Sequence, residues 1–365
     1  MTKKDLNIEE CFYWMQRAFQ LAQLADGETN PNPLVGAVVL DPDKLLIGEG
    51  FHSKAGSPHA EVEALRQAGD AAKGGTLLVT LEPCCHYGLT PPCTKTIIES
   101  GVSRVVVGLQ DPDPRVSGNG IRLLKEAGIE VITGILKEEI SFQNRAFIFR
   151  IKTGRPWGIL KLAMSFDGRT GLSNGKSKWI TSQEAREKVH ALRAKCDAVI
   201  IGGGTLRADD PLLTSRGLRN PEPLRVVFSQ SLSLPIGAQI WRTESAKTLV
   251  AFSNENALPL IQELPENVEK LKLHESNPRE LLEELAKKGC NRILWECGPS
   301  LATSAIKQNC VQEIVIFMAP KLLGGLPAMT LLGNFGFDSL DQALILKEVS
   351  LAKSGKDFVL NTFLE

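Results

Sequence analysis

Four residues between positions 59 and 93 constrain this chain more than any other feature: His59, Glu61, Cys84 and Cys93. An imidazole and two thiols can meet at one point only if their elements end at the same place. His59 follows Pro58 and opens a helical run in which Ala60, Ala64, Leu65 and Ala68 form a narrow small-residue face. Leu77–Leu81 is apolar and reads as a buried strand delivering Cys84. Pro91-Pro92 cannot continue a strand but can open a helix, which puts Cys93 in a first helical turn. Unpaired N–H groups and the positive helix end favour a thiolate there.

A His, a Glu two residues on and two later cysteines are the parts of a zinc deaminase site. Three protein ligands leave one open position, where a bound water ionises near neutral pH. We assign His59, Cys84 and Cys93 as ligands of one Zn2+ and Glu61 as the general acid/base, close enough to reach the water without binding metal. Cys85 is the competing ligand, but adjacent residues seldom both reach one ion. The bland alternative is a set of buried cysteines around a core histidine. It suits Cys11, Cys196, Cys290, Cys297 and Cys310 better than this ordered set. Eight residues separate Cys84 from Cys93, where nucleobase deaminases usually have Cys-x-x-Cys.

At 365 residues two domains are expected, with a boundary near Arg150–Pro156, where Lys152-Thr-Gly-Arg-Pro has turn composition. This gives units 1–150 and 151–365. Basic and acidic residues balance at 42 each, which argues against an electrostatic grip on nucleic acid. The first residues lack a signal-peptide core, no run reaches membrane-spanning length, and eight unevenly spaced cysteines suit a reducing compartment. A cytoplasmic protein without a membrane partner is expected, as a homo-oligomer by default.

Residues 8–25 read as an amphipathic helix burying Phe12, Met15, Phe19, Ala22 and Leu24. Pro33–Leu40 and Leu45–Gly50 read as a hairpin; strands at Val105–Leu109 and Glu130–Thr133 flank a helix at Gly120–Ala127. After the boundary, strands are expected at Trp157–Ala163, Ala198–Ile201, Leu224–Phe228, Thr248–Phe252, Arg292–Trp295, Glu313–Ala319 and Asp357–Phe363. Helices are expected at Gln183–Ala194, Pro278–Lys288 and Ser300–Gln308. Such alternation implies layered α/β domains.

The second half holds two strand-to-helix turns suited to phosphate, Ile200-Ile-Gly-Gly-Gly-Thr205 and Trp295-Glu-Cys-Gly-Pro-Ser-Leu301. Neither is the Gly-x-Gly-x-x-Gly fingerprint, so a Rossmann fold is not supported. Lys161 stands in an otherwise apolar strand, which requires either a partner or an edge position facing solvent. Ser177–Thr181 and Ala208–Arg216 add polar and basic groups beside strand ends; Asp209 and Asp210 also suit turn caps.

Taken together, both halves resemble the bifunctional deaminase–reductase family of riboflavin biosynthesis. The resemblance is carried by Asn30-Pro-Asn-Pro-Leu-Val-Gly36, Gly50-Phe-His52, His59-Ala-Glu61, Leu81-Glu-Pro-Cys84 and Thr90-Pro-Pro-Cys93. It continues through Asp111-Pro-Asp-Pro114, Ser177-Lys-Trp-Ile-Thr181, Gly204-Thr205 and Ala208-Asp-Asp-Pro211. The long cysteine spacing is itself part of the pattern. The resemblance implies a cytidine-deaminase-like three-layer domain followed by a dihydrofolate-reductase-like α/β domain. It implies hydrolytic deamination of 2,5-diamino-6-ribosylamino-4(3H)-pyrimidinone 5′-phosphate, then NADPH-dependent reduction of the ribosyl group to ribityl.

Carried over position by position, Asn32, His52 and His86 would contact the pyrimidine. Ala163, Trp179, Thr205, Asp209 and the turn Gly298, Pro299, Ser300, Leu301, Ala302, Thr303, Ser304 would hold NADPH. Ser177, Arg193, Leu213, Arg216 and Glu296 would hold the phosphorylated substrate, with Lys161 catalytic near the sugar. One position departs: the family commonly carries Lys or Arg where this chain has Leu89, with Lys54 as a possible substitute cation. Two other readings are weaker: one live site beside a scaffold domain, which no missing anchor supports, and a nucleic-acid-directed zinc deaminase, which the balanced charge opposes.

Overall fold

The computed structural model describes residues 6–87, 91–114, 116–174, 176–254, 263–325 and 330–364, and every count below refers to these. The chain divides into two compact units, Met1–Thr153 and Gly154–Glu365. Among the described residues, no helix is long and apolar enough to cross a membrane.

The first unit is a five-stranded sheet in the order β2-β1-β3-β4-β5. Its strands are β1 (Gly36–Leu40), β2 (Leu46–Phe51), β3 (Thr76–Leu81), β4 (Arg104–Leu109) and β5 (Glu130–Thr133). β1 lies antiparallel to β2 and β3, while β3, β4 and β5 run parallel. Successive side chains on a strand alternate faces, and both faces here are apolar. Ala37, Val39, Leu77, Val79, Val105 and Val107 pack under α2 (Ala60–Ala68), α3 (Cys93–Ser100) and α4 (Asn119–Glu126). Val38, Leu40, Leu78 and Val106 pack on the other side, under α1 (Ile8–Gln23) and α5 (Lys137–Gln143). A further helix, α6 (Arg145–Thr153), ends the unit. The result is three layers.

Helix α1 begins at a full capping box between Asn7 and Glu10. Its buried residues are Cys11, Met15, Ala18, Leu21 and Ala22. Phe12 (43% exposed) and Leu24 (67%) lie outside this stripe, contrary to the expectation from sequence. At 3.6 residues per turn the stripe through 11, 15, 18 and 22 leaves position 12 about 100° off the sheet, and the helix ends before 24. Gly36 is obligatory: a Cβ there would stand 2.0 Å from the Ala18 carbonyl oxygen.

The second unit is a nine-stranded sheet. Its strands are β6 (Trp157–Ser165), β7 (Ala198–Gly202), β8 (Leu224–Phe228), β9 (Thr248–Phe252), β10 (Glu269–Lys272), β11 (Arg292–Trp295), β12 (Glu313–Ala319), β13 (Leu346–Ser354) and β14 (Asp357–Leu364). Their order is β10-β9-β8-β7-β11-β6-β12-β14-β13, parallel as far as β12 and antiparallel thereafter. Helix α7 (Gln183–Ala194) and α8 (Gly203–Asp209) pack into one core, whereas α9 (Pro278–Lys287) and α10 (Pro299–Lys307) pack into the other. β11 enters between β7 and β6, so the chain winds away from this point in both directions. Ligands of open α/β sheets settle outside the carboxyl ends of strands at such a reversal.

Sequence periodicity misses β10 and β13, whose residues are largely exposed and carry little apolar alternation. It also misses α5 and α6. The turn composition of residues 152–156 begins a little early, because α6 continues through Thr153 and the break falls at Gly154, φ +70. Lys161 lies on an interior strand between β11 and β12, which removes the edge-strand alternative.

Candidate metal centre and a second polar site

His59 is the N-cap of α2, Cys93 is the first residue of α3, and Cys84 follows the end of β3. Three element ends thus meet beyond the carboxyl end of β3, the central strand of the sheet. His59 Nδ1 lies 3.1 Å from Cys93 Sγ and 3.6 Å from Cys84 Sγ. The Cys93 N–H donates to Cys84 Sγ at 3.3 Å. All three donor atoms fall within 4.8 Å of one another, the one such group among the described residues that could hold a metal.

The electrostatics fit a cation. A hydrogen bond from the Cys93 thiol, helped by His59 and the Cys93 N–H, pulls the Cys84 thiol down to about 4 against the cost of burial. That same bond, and burial, push the Cys93 thiol up. Two sulfurs sharing protons beside an imidazole are a soft donor set for zinc, which keeps both deprotonated. Cys85 is half-buried and outside the group.

Glu61 sits in the first turn of α2, 3% exposed, and its Oε2 has no hydrogen-bond partner. Burial pushes its carboxyl above the ordinary range, opposed by His59. A buried carboxylate oxygen without a partner is costly unless a ligand completes it. His52 stands beside the centre, its ring 5.2 Å from that of His59 in an edge-on pair. Its Nδ1 lies 3.2 Å from the Pro58 carbonyl, which fixes Nδ1 as the protonated nitrogen, and Asn32 Nδ2 donates to Nε2 at 3.0 Å. Burial lowers the His52 pKa, so the ring stays neutral. Asn32 and His52 therefore form one wall. His86 is exposed. Leu89 lies outside the described residues.

In the second unit Gly202 ends β7 and Glu296 follows β11, while Lys161 lies midway along β6, one residue past the register pair Trp295–Leu160. Arg193, near the end of α7, grips Glu296 with two bonds, Nε to Oε1 at 2.5 Å and Nη2 to Oε2 at 3.0 Å. Its Nη1 donates to the Thr214 carbonyl at 3.0 Å. Lys161 Nζ lies 3.8 Å from Glu296 Oε2. Burial would raise the Glu296 carboxyl, but Arg193 and Lys161 more than offset it and hold it at about 2. Burial lowers the Lys161 ammonium, with Glu296 opposing. Sequence reasoning missed His190, whose Nδ1 lies 3.5 Å from Arg193 Nη1. Its spacing of three from Arg193 on a helix was the available signal.

Leu213 and Arg216 belong to a loop after α8 and both adopt positive φ, +58 and +61. Leu213 is buried in the core and Arg216 is exposed. Ser177 Oγ donates to Asp209 Oδ1 at 3.2 Å, and Lys178 Nζ to the Asp209 carbonyl at 2.6 Å. Trp179 is exposed with the Arg186 guanidinium 4.6 Å over its ring. Ala163 lies on β6 two residues beyond Lys161.

The two glycine turns lie side by side because β7 and β11 are neighbours. A Cβ on Gly204 or Gly298 would meet nothing closer than 4.0 Å and 3.9 Å, the latter to Thr205 Oγ1. Open space above two adjacent helix starts suits the phosphates of a dinucleotide. Gly298 caps α10, and Pro299, Ser300 and Leu301 form its first turn. Ala302 and Thr303 are buried, Thr303 Oγ1 accepting the Gly333 N–H at 2.7 Å, and Ser304 is half-buried.

Residues 9–109 match the family model of the cytidine and deoxycytidylate deaminase zinc-binding region, and residues 156–360 that of the RibD C-terminal domain. The chain is 48% identical over 353 residues to riboflavin biosynthesis protein RibD of Synechocystis, covering 96% of this chain and 95% of that protein. It is 40% identical to RibD of Escherichia coli, covering 96% and 98%. Acinetobacter baumannii RibD superposes with a TM-score of 0.89 at 38% identity over 98% of this chain and all of that one. A diaminohydroxyphosphoribosylaminopyrimidine deaminase/5-amino-6-(5-phosphoribosylamino)uracil reductase of Thermotoga maritima does so at 0.88 and 34%, covering 98% and 99%.

Proposed function

The chain belongs to the RibD family of riboflavin biosynthesis, and from that premise we propose which residues carry its two reactions and on what substrate. It is a zinc-dependent deaminase joined to an NADPH-dependent reductase. The first unit removes an amino group from 2,5-diamino-6-ribosylamino-4(3H)-pyrimidinone 5′-phosphate. The second reduces the ribosyl group of the product to ribityl. The observation that carries this reading is the convergence of His59, Cys84 and Cys93 beside the unpartnered carboxylate oxygen of Glu61.

His59, Cys84 and Cys93 would hold the metal. Bound zinc supplies a Lewis acid that lets water ionise near neutral pH. Glu61 takes the proton from that water at Oε2 and returns it to the departing amino group. Its burial makes it a better base than an exposed carboxylate. The neutral His52, fixed by Pro58 and Asn32, lines the pyrimidine pocket with no charge that would compete for Glu61. His86 closes the pocket from its exposed position.

In the second unit the Gly202–Thr205 and Gly298–Leu301 turns would seat the cofactor phosphates, with Ala163, Trp179 and Asp209 beside them. Ala302, Thr303 and Ser304 complete that segment. Bound NADPH supplies the hydride. Lys161 offers a proton donor to the sugar, held in place by Glu296, while Arg216 and Ser177 contact the phosphorylated substrate, and Arg193 and the buried Leu213 fix the loop that carries Arg216. Leu89 replaces the cation common in relatives, so deaminase affinity is weaker here. Leu89→Lys should lower the deaminase Michaelis constant, and an unchanged value counts against the idea.

A homo-oligomer fits the exposed apolar residues of edge strand β13, Leu346, Val349 and Leu351, and sedimentation measures it. The experiment that tests the whole reading is metal analysis with paired assays, ammonia release on the diaminopyrimidine and NADPH oxidation on its separately supplied deaminated product. One zinc per chain is expected, and chelation should abolish ammonia release while sparing NADPH oxidation. Active deaminase without metal would end it.

A further inference from the structure

Two motifs of the first unit have no role in the chemistry above: Glu82, ahead of Pro83-Cys84, and the Asp111-Pro-Asp-Pro114 run. The structure joins them. Glu82 is 3% exposed, and its N–H extends the β3–β4 ladder by one bond to the Leu109 carbonyl. Its carboxylate then accepts three backbone N–H groups from the chain that leaves β4. Oε2 accepts from Asp111 at 3.2 Å and Gly118 at 2.9 Å, and Oε1 from Ile121 at 3.1 Å. Gly118 is the N-cap of α4 and Ile121 its third residue, so a carboxylate from a neighbouring strand caps this helix. Its charge suits the positive helix end.

The Asp-Pro-Asp run shapes the segment so that those N–H groups converge. The Asp113 N–H donates to Asp111 Oδ1 at 2.8 Å, and the Asp113 carbonyl accepts from Val116 and Ser117, each at 2.9 Å. Contact with the ligand loop is direct. A Cβ on Gly120 would stand 2.2 Å from the Pro83 carbonyl oxygen, so α4 presses on the residue next to Cys84.

We infer that Glu82 is a positioning residue for the metal centre, seating the Pro83–Cys84 loop on the start of α4 so that the Cys84 sulfur is held for the ion. This rests on the reading of His59, Cys84 and Cys93 as the ligands. Groups that orient metal ligands from outside the coordination sphere typically change affinity about 10–100-fold when altered.

The test uses the full-length chain loaded with zinc, with transfer of the metal to the chelator 4-(2-pyridylazo)resorcinol as readout. Glu82→Gln keeps the size of the side chain but puts an N–H donor against backbone N–H groups. It should hold zinc at least about 10-fold more weakly, lose deamination in step with zinc, and recover it in excess zinc. NADPH oxidation by the same chain on supplied deaminated product should be unchanged. Gly120→Ala, which displaces Pro83, should give the same zinc loss and decides the matter alone if Glu82→Gln does not fold. Zinc held as tightly as in the unaltered chain overturns the proposal, as does lost deamination with full zinc. His59→Ala is the separate control: if it too keeps its zinc, the ligand assignment itself has failed.

Discussion

In the first unit the three ligands and Glu61 all lie between His59 and Cys93, whereas in the second a gap of 103 positions separates Arg193 from the Glu296 it grips. The first site depends on particular elements, nitrogen, sulfur and one carboxylate, because a metal accepts few donors. The second depends on where strands end. There the cofactor meets backbone and glycine, and the substrate meets common charged residues. A metal site therefore announces itself through residue type, and a cofactor groove through topology.

Substitutions that silence one region and spare the other sharpen this contrast. The largest effect is expected from Glu61→Gln, which preserves the three ligands and the size of the buried side chain. Zinc content should be unchanged, reduction of supplied deaminated product unaffected, and ammonia release slowed about 10²–10⁴-fold, the usual worth of a positioned acid–base group. Normal ammonia release from this variant would remove Glu61 from the mechanism. Lys161→Ala is its mirror image. Reduction should slow on the order of 100-fold, toward the low end for a single proton donor, with deamination intact. Equal loss of both activities would mean that the two sites are not chemically separate.

The same contrast decides what could be read without coordinates. His59, Glu61, Cys84 and Cys93 were legible because spacing, prolines and residue type agreed. The strands flanking them were legible because both of their faces are apolar. Strand β13 was not, since eight of its nine residues are exposed and nothing in its pattern marks a strand. Phe12 was misplaced because hydrophobicity was counted without fixing the phase of the helix. His190 was overlooked although its spacing from Arg193 was a local signal, whereas the grip of Arg193 on Glu296 was not legible, since ion pairs between distant positions leave no local pattern. Roles in the second site came from family resemblance, which transfers positions but not distances.

The smallest expected effect concerns stability and tests whether the second site is held by charge. Glu296 sits at about 2 against an ordinary 4.5, with burial opposed by Arg193 and Lys161. Its folded pKa lies below its unfolded one, so the unfolded chain binds more protons between them. The stabilisation is complete above about 4.5 and fades as pH falls toward 2. For a group this buried, a depression of that size is worth on the order of 3 kcal/mol. Four of the five tryptophans, Trp157, Trp179, Trp241 and Trp295, belong to the second unit, so denaturant unfolding followed by tryptophan fluorescence reports mainly on it. From pH 5 to pH 3.5, roughly the window set by those two values, the unaltered protein should lose stability. Glu296→Gln should be less stable at neutral pH, because it leaves Arg193 buried without its counter-charge, yet show a flatter slope across that window. If the variant keeps the full acid slope, other carboxylates produce it, and the second site is held by packing as firmly as the first is held by metal.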